Sequence, residues 1–158
     1  MILKYLITGA TGGLGAQVLK HLTAQVPSSE YAAASSRAES GLQFAQNGIA
    51  FRQVNYDDKP AALSKALEGV ENFFFVSTNV FDNERRRRQH QNVVDAAKLA
   101  GVKHVCICIF PYIYHCEASF FELSYQVWYT SLAFGGLESN SKVSVQQAHY
   151  MTEEMLRR

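Results

Sequence analysis

Short apolar runs alternate along this chain with segments whose apolar residues recur at helical spacing. The runs predict strands, and the amphipathic segments between them predict helices. Strands are predicted at about Ile2 to Ile7, Tyr31 to Ala34, Ile49 to Val54 and Phe73 to Val76, with a fifth opening at Val102 to Val105. Helices are predicted at about Gly13 to Gln25, Glu39 to Gln46, Pro60 to Gly69 and Asn83 to Ala100.

Strands that alternate with helices need crossover connections, and these are almost always right-handed. The pattern therefore predicts an α/β fold, a doubly wound (Rossmann) parallel sheet with helices on both faces. The length of 158 residues suits one hydrophobic core, so residues 1–158 are interpreted as a single domain.

A glycine-rich loop, Thr8 to Gly15, joins the first predicted strand to the first predicted helix. Gly9 would permit a tight turn, Gly12 would let the backbone approach a pyrophosphate, and Gly15 would let helix and strand pack closely. The helix N-terminus would offer N–H groups to the anion. An incidental glycine-rich turn is the alternative, but the preceding strand and the following helix favour a dinucleotide site.

The end of the second strand bears on which nicotinamide cofactor would bind. An acidic residue at this place pairs with the ribose hydroxyls of NAD, but this chain has Ser35, Ser36 and Arg37 there. A guanidinium can bind a 2′-phosphate through charge-assisted hydrogen bonds, so NADP(H) is favoured over NAD(H). The alternative is that Arg37 is only a solvated loop residue.

Several segments carry a resemblance to a known family: Ile7 to Gly15, Arg52 to Asp57, Gln89 to Val94 with Ala97, and Gly101 to His104. In these segments the chain resembles the NmrA-like, atypical short-chain dehydrogenases, and among them the type 2 NAD(P)H quinone oxidoreductases and the triphenylmethane reductases. The resemblance covers most of the chain up to His104. It implies a cofactor site lined by Gly9, Ala10, Thr11, Gly12, Gly13, Leu14, Arg37, Asp57, Ser77, Thr78 and Asn79.

The chain departs from that family between residues 105 and 126. In family members the fifth strand runs directly from the segment that resembles Gly101 to His104 into an apolar and aromatic ending. In this chain the corresponding ending, Val127 to Ser131, is displaced. The intervening stretch holds all three cysteines and no Lys, Arg, Asp, Asn or Gly. We interpret it as a translated retained intron. Its first four residues can be encoded by GTA TGT ATA TGT, which begins with a common 5′ splice sequence, and its last residue by CAG, a common 3′ splice sequence. A genuine inserted loop and hairpin is the alternative.

The dehydrogenase pair Tyr-x-x-x-Lys is also missing. Tyr150 is followed at that spacing by Glu154, which would oppose phenolate formation, so Tyr150 is interpreted as a structural helix residue and the catalytic residues stay unknown. A quinone-like acceptor can take hydride directly, and positioning would then dominate. Family members continue beyond Arg158, so the acceptor site is expected to be incomplete here.

Other function classes are not favoured. The formal net charge of +1 gives no reason to expect nucleic acid, and Arg85 to Arg88 are interpreted as a solvated helix surface. Three clustered cysteines and five scattered histidines lack ligand spacing, so no metal is expected and the histidines are taken as ordinary surface or core residues. No apolar run is long enough for a bilayer and no basic leader opens the chain, so a cytoplasmic protein is expected.

Three functions remain open on these grounds. The first is an NADPH-dependent reductase of quinone-like acceptors. The second is a non-catalytic NmrA-like protein that senses NADP and passes the signal to a protein partner. The third is an inactive, truncated gene-model product whose apolar insertion splits the fifth strand.

Overall fold

A computed structural model describes residues 3–78, 80, 82–108, 152 and 155 of the chain. The strands are β1 (Leu3–Ile7), β2 (Tyr31–Ser35), β3 (Ala50–Gln53), β4 (Val70–Val76) and β5 (His104–Cys108). The helices between them are α1 (Gly13–Thr23), α2 (Ser40–Gln46), α3 (Pro60–Ala66) and α4 (Asn83–Ala100). The predicted alternation of strands and helices is confirmed.

The five strands form one parallel sheet in the order β3-β2-β1-β4-β5. The chain moves outward from β1 to β3 and then crosses back to β4, so the winding direction changes between β1 and β4. Ligands of doubly wound sheets bind outside the carboxyl ends of the strands at such a switch point. The glycine loop after β1 and the residues that follow β4 meet at this place.

Each face of the sheet carries its own apolar cluster, because successive strand residues point to opposite faces. On one face Leu6 and Phe75 pack with residues of α3 and α4 such as Leu63 and Val93. On the other, Ile7 packs with α1 and α2 residues and with Ala33. Both faces are therefore covered by helices, as the doubly wound prediction required.

Two strands extend beyond their predicted bounds. β4 begins at Val70 although Asn72 is polar, because the Asn72 Nδ2 donates to the carbonyl of Lys4 at 2.8 Å and is thereby accommodated in the sheet. β5 continues through Cys108, where it pairs with Val76. The sheet thus runs four residues into the segment predicted as an insertion.

The rest of that segment, residues 109–126, and the ending Val127 to Ser131 lie outside the described residues. The interpretation of residues 105–126 as a retained intron therefore stays a prediction. Cys116 and the Tyr150 and Glu154 pair lie outside as well. Among the described helices, none is long and apolar enough to cross a membrane, and no described group of His, Cys, Asp or Glu could hold a metal ion.

Candidate functional site

The glycine loop between β1 and α1 contains two glycines that the fold itself requires. Gly9 has φ +63°, in the left-handed region, and a Cβ there would lie 3.0 Å from the Cβ of Val76. A Cβ on Gly15 would lie 2.3 Å from the carbonyl oxygen of Gly9. A side chain at either position would collide with neighbouring atoms, so both glycines allow α1 to start directly against the end of the sheet.

Gly12 and Gly13 differ from this pair because both are exposed. A Cβ on Gly12 would reach only ordinary contact, 3.4 Å from the Gly9 oxygen, and one on Gly13 would meet nothing within 4 Å. Packing inside the described chain therefore does not demand glycine at these two positions. Side chains there would instead occupy the space in front of the α1 N-terminus, which a pyrophosphate could fill.

The N-terminus of α1 is open to an anion. Gly12 is the N-cap and supplies no side-chain hydrogen bond, and the first turn contains no acidic residue. The first-turn N–H groups of a helix have no partner within the helix, and the helix dipole favours negative charge at this end. Gly12, Gly13 and the half-buried Leu14 thus lie at a helix N-terminus that is open to an anion, and their assignment to the cofactor site stays a prediction.

Thr8 fixes this loop to the neighbouring strand, a role that the sequence analysis did not identify. Its buried Oγ1 donates to the carbonyl of Phe74 at 3.1 Å and accepts from the amide of Val76 at 2.9 Å. The two bonds continue the sheet one residue beyond β1 and hold the loop at the switch point. A Thr directly after a strand is too common to have signalled this by itself.

Arg37 lies against the glycine loop, although 26 residues separate it from Thr11 in the chain. Its Nη2 donates to Thr11 Oγ1 at 3.1 Å, and its backbone amide donates to Ser35 Oγ at 3.2 Å. The side chain is exposed, and no carboxylate of the described chain forms a salt bridge with it. Ala10 is buried, and its amide donates to the carbonyl of Ala34. The loop and the predicted phosphate-binding arginine are therefore brought together.

Asp57, predicted to line the cofactor site, pairs with the first turn of α4. The Arg85 Nη2 donates to Oδ2 of Asp57 at 2.7 Å, and the Arg85 Nε donates to Oδ1 at 3.3 Å. These hydrogen bonds hold the pKa of the Asp57 carboxyl below its usual value, with a smaller contribution from a hydrogen bond with Gln89. The carboxylate thus binds a guanidinium within the described fold.

The arginine run is not the uniform solvated surface that was predicted. Arg87 and Arg88 are exposed, but Arg86 is buried, with 4% of its surface exposed. Four consecutive residues spread around a helix, so one of them must face the sheet. Val93 lies two turns after Arg86 on the same buried face of α4, and that spacing is the sequence signal that would have identified it.

The exit of β4 is held by a chain of hydrogen bonds through a buried histidine. Ser77 Oγ lies 3.0 Å from His90 Nε2, and His90 Nδ1 lies 2.6 Å from Thr152 Oγ1. Burial and the charge of Arg86 lower the pKa of His90 to about 4, so the ring is neutral near pH 7. His90 is a core residue, as one of the two predicted alternatives stated. It also has a role that was not predicted, because its hydrogen bond with Ser77 positions that side chain.

Two further groups complete the β4 exit. Thr78 Oγ1 accepts from the amide of Val80 at 3.3 Å, and the hydroxyl of Tyr56 donates to the carbonyl of Val76 at 2.9 Å. Burial raises the pKa of Tyr56, which keeps its hydroxyl protonated. Asn79, the remaining predicted site residue, lies outside the described residues. Ser77 and Thr78 therefore stand at the switch point, on the side opposite to Arg37.

This geometry has the parts of a dinucleotide site in their expected order along the sheet edge: a cation after β2, an open helix end after β1, and hydroxyls after β4. A family model for NAD(P)H-binding proteins matches residues 9–157. The chain belongs to this NAD(P)H-binding family. The match covers the glycine loop from Gly9 onward and every predicted site residue.

Named relatives of this NAD(P)H-binding chain are oxidoreductases. It is 46% identical over 157 residues to the NmrA-like family domain-containing oxidoreductase flvB of Aspergillus flavus, covering 98% of this chain and 44% of that protein. It is 42% identical over 99 residues to quinone oxidoreductase 2 of Escherichia coli, covering 63% of this chain and 34% of that protein. These similarities confirm the resemblance to NmrA-like proteins that the motifs indicated.

Solved structures show the same fold with bound cofactor. The Citrobacter triphenylmethane reductase complexed with NADP(H) superposes with a TM-score of 0.75 at 30% identity, over 98% of this chain and 45% of that one. The NADPH-dependent quinone oxidoreductase of Escherichia coli complexed with NADPH gives a TM-score of 0.71 at 31% identity, over 97% and 44%. The chain spans less than half the length of these relatives.

Proposed function

We propose that this chain is the cofactor-binding part of an NADPH-dependent reductase of quinone-like acceptors. The observation that carries the proposal is the open glycine loop at the switch point, with the Arg37 guanidinium hydrogen-bonded to Thr11 in that loop. The names of the related quinone and triphenylmethane reductases support the choice of acceptor class.

In this proposal the diphosphate lies on the N-terminus of α1. Gly12 and Gly13 let the backbone approach it, and the first-turn N–H groups donate to its oxygens. The adenosine half extends toward β2, where Arg37 binds the 2′-phosphate. The nicotinamide half extends toward β4, where Ser77 and Thr78 line its binding site. Asn79 and Asp57 are assigned to the same site, with Asp57 at its margin because its carboxylate already binds Arg85.

The bound cofactor supplies a hydride. The described residues around it are suited to positioning, because the histidine and the tyrosine that bond to the β4 exit are both neutral near pH 7. Burial lowers the pKa of His90 to about 4 and raises that of Tyr56. His90 orients Ser77, and Tyr56 fixes the backbone at Val76.

The preference for NADPH tests this arrangement. Arg37→Gln removes the cation from the proposed 2′-phosphate site, and a hydrogen bond to a charged group contributes about 1.5–3 kcal/mol. We therefore expect the Kd for NADPH to rise by about 10- to 100-fold and that for NADH to stay within about twofold. Arg87→Gln, a change of the same type on the exposed surface of α4, is the matched control.

Calorimetric titration of the purified chain with each nucleotide measures these constants. Equal affinities of Arg37→Gln and the unaltered chain for NADPH would contradict the assignment of Arg37. Oxidation of NADPH with a panel of quinones then tests the reductase itself. Tight NADPH binding with no quinone-dependent oxidation would contradict turnover by this chain and favour the NADP-sensing function.

A further inference from the structure

Arg86 is a buried cation whose hydrogen bonds are only partly satisfied. It lies in the first turn of α4, and its Nη2 donates to the carbonyl of Val80. Its Nε and Nη1 are buried and have no hydrogen-bond partner in the part of the chain that the structure describes. A guanidinium carries five N–H donors and no acceptor, so the N–H groups on these two nitrogens lack the oxygen acceptors to which they would donate.

No nearby carboxylate of the described chain neutralises this charge. Asp57 binds Arg85, and Asp82 caps α4 by accepting from the amides of Glu84 and Arg85. Arg86 forms no salt bridge among the described residues. A buried charge without a counter-charge destabilises a fold, so stability alone does not account for an arginine at this position.

Gln89 adds a second unsatisfied group beside this cation. It stands three residues after Arg86, so the two side chains lie on the same face of α4. Its Oε1 is buried and has no hydrogen-bond partner within the described residues. The pair therefore presents N–H donors and one acceptor, a set that suits an anionic oxygen with a hydroxyl or amide nearby.

The position of the pair relative to the cofactor site identifies its ligand. Val80, which Arg86 holds, follows Ser77 and Thr78 at the exit of β4. Arg37 marks the opposite, adenosine side of the switch point. The phosphates are already provided for at α1 and Arg37, so an anion beside Arg86 comes from the molecule that meets the nicotinamide half.

We propose that Arg86 and Gln89 form a binding site for a negatively charged oxygen of the acceptor, so that the protein prefers acidic quinone-like acceptors that carry a carboxylate, sulfonate or phenolate group. This inference rests on the proposed reductase function. In it Arg86 is a specificity-determining residue: its fork binds the anionic oxygen, and Gln89 Oε1 accepts from a neighbouring donor on the same molecule.

The test compares two probes that differ by one charge, 1,4-naphthoquinone-2-sulfonate and uncharged 1,4-naphthoquinone. Their affinities are measured by calorimetry with saturating NADP⁺, so that no turnover occurs. We expect Arg86→Met to weaken binding of the sulfonate by about tenfold or more and binding of the uncharged quinone by less than about twofold. Arg87→Met, an equal change on the exposed surface, is expected to leave both affinities within about twofold.

Thermal unfolding provides a second readout that a purely structural arginine would not give. Arg86→Met removes an uncompensated buried charge, so its Tm is expected to equal or exceed that of the unaltered chain. The sulfonate is expected to raise the Tm of the unaltered chain but not that of Arg86→Met. Arg86→Lys keeps the charge without the planar fork, and its affinity for the sulfonate is expected to lie between those of the unaltered chain and Arg86→Met. This variant tests the proposal if the methionine variant does not fold.

Two results would overturn this inference. Equal effects of Arg86→Met and Arg87→Met on the sulfonate would remove the site. Weakened NADP⁺ binding by Arg86→Met, with sulfonate affinity unchanged, would assign Arg86 to the cofactor instead. Failure of the unaltered chain to bind NADP⁺ would overturn the proposed function, and this outcome is distinct from both.

Discussion

The two glycines Gly13 and Gly15 separate the folding role of the loop from its binding role. Gly15→Ala would place a Cβ 2.3 Å from the Gly9 carbonyl oxygen and 2.8 Å from that of Thr8. Both obstacles are backbone atoms, so α1 must shift by about 1 Å, and overpacking of this kind costs about 1–3 kcal/mol. Gly13→Ala meets nothing within 4 Å, and alanine stabilises a helix by about 0.5–1 kcal/mol relative to glycine.

We therefore expect Gly15→Ala to lower the free energy of unfolding by about 2 kcal/mol and the Tm by about 4–8 °C. Gly13→Ala is expected to leave the stability unchanged or raise it slightly. Gly13→Ala is expected to affect cofactor binding instead, because the added methyl group projects into the space proposed for the diphosphate. The Kd of Gly13→Ala for NADPH is expected to rise about tenfold or more although the fold is intact.

Urea denaturation measures the stabilities, with the slope m compared to check that the same surface is exposed in each variant. Calorimetric titration measures NADPH binding by the folded variants. Gly15→Ala with a stability within about 0.5 kcal/mol of the unaltered chain would refute the steric reasoning, since experimental differences of that size are ordinary for surface substitutions. Unchanged NADPH affinity of Gly13→Ala would refute the proposed position of the diphosphate.

Three further predictions concern the groups around the switch point. Thr8→Val leaves the Val76 amide without its acceptor and is expected to destabilise the fold by about 1–3 kcal/mol in urea denaturation, whereas Thr8→Ser, which keeps the hydroxyl, costs less. His90 has a pKa of about 4 in the fold against 6.5 when unfolded. The unfolded chain therefore binds more protons between these values, and stability should fall by up to about 3 kcal/mol as the pH drops from 6.5 to 4. A His90→Gln variant that loses stability as steeply over that range would contradict this cause. Asp57→Asn breaks a largely exposed ion pair and should change the free energy of unfolding by less than about 1 kcal/mol. Salt screens exposed charges, so a loss of stability that is larger at high salt than at low salt would contradict this description of the pair.

The sequence by itself determined the architecture and the central loop. Strand and helix periodicity depends on a few neighbouring residues, and so do the turn signals: Pro60 begins α3 and Gly101 ends α4 with φ +69°, as predicted. The glycine spacing at Gly9 and Gly15 is likewise local, because the tight turn and the close helix start involve residues within one loop. The proposal that Arg37 binds a 2′-phosphate likewise rests on its local place after β2, and the structure adds its contact with Thr11.

Only the tertiary structure decided which side chains meet. Thr8 reaches Phe74 across 66 residues, and His90 reaches Thr152 across 62. Such pairs depend on strand order, register and helix rotation, none of which a local pattern specifies. The arginine run shows this limit: helical spacing puts Arg86 on the same face as Val93, but only the packing of α4 against the sheet shows that this face buries a guanidinium. Arg87, about 100° further around the helix, is exposed.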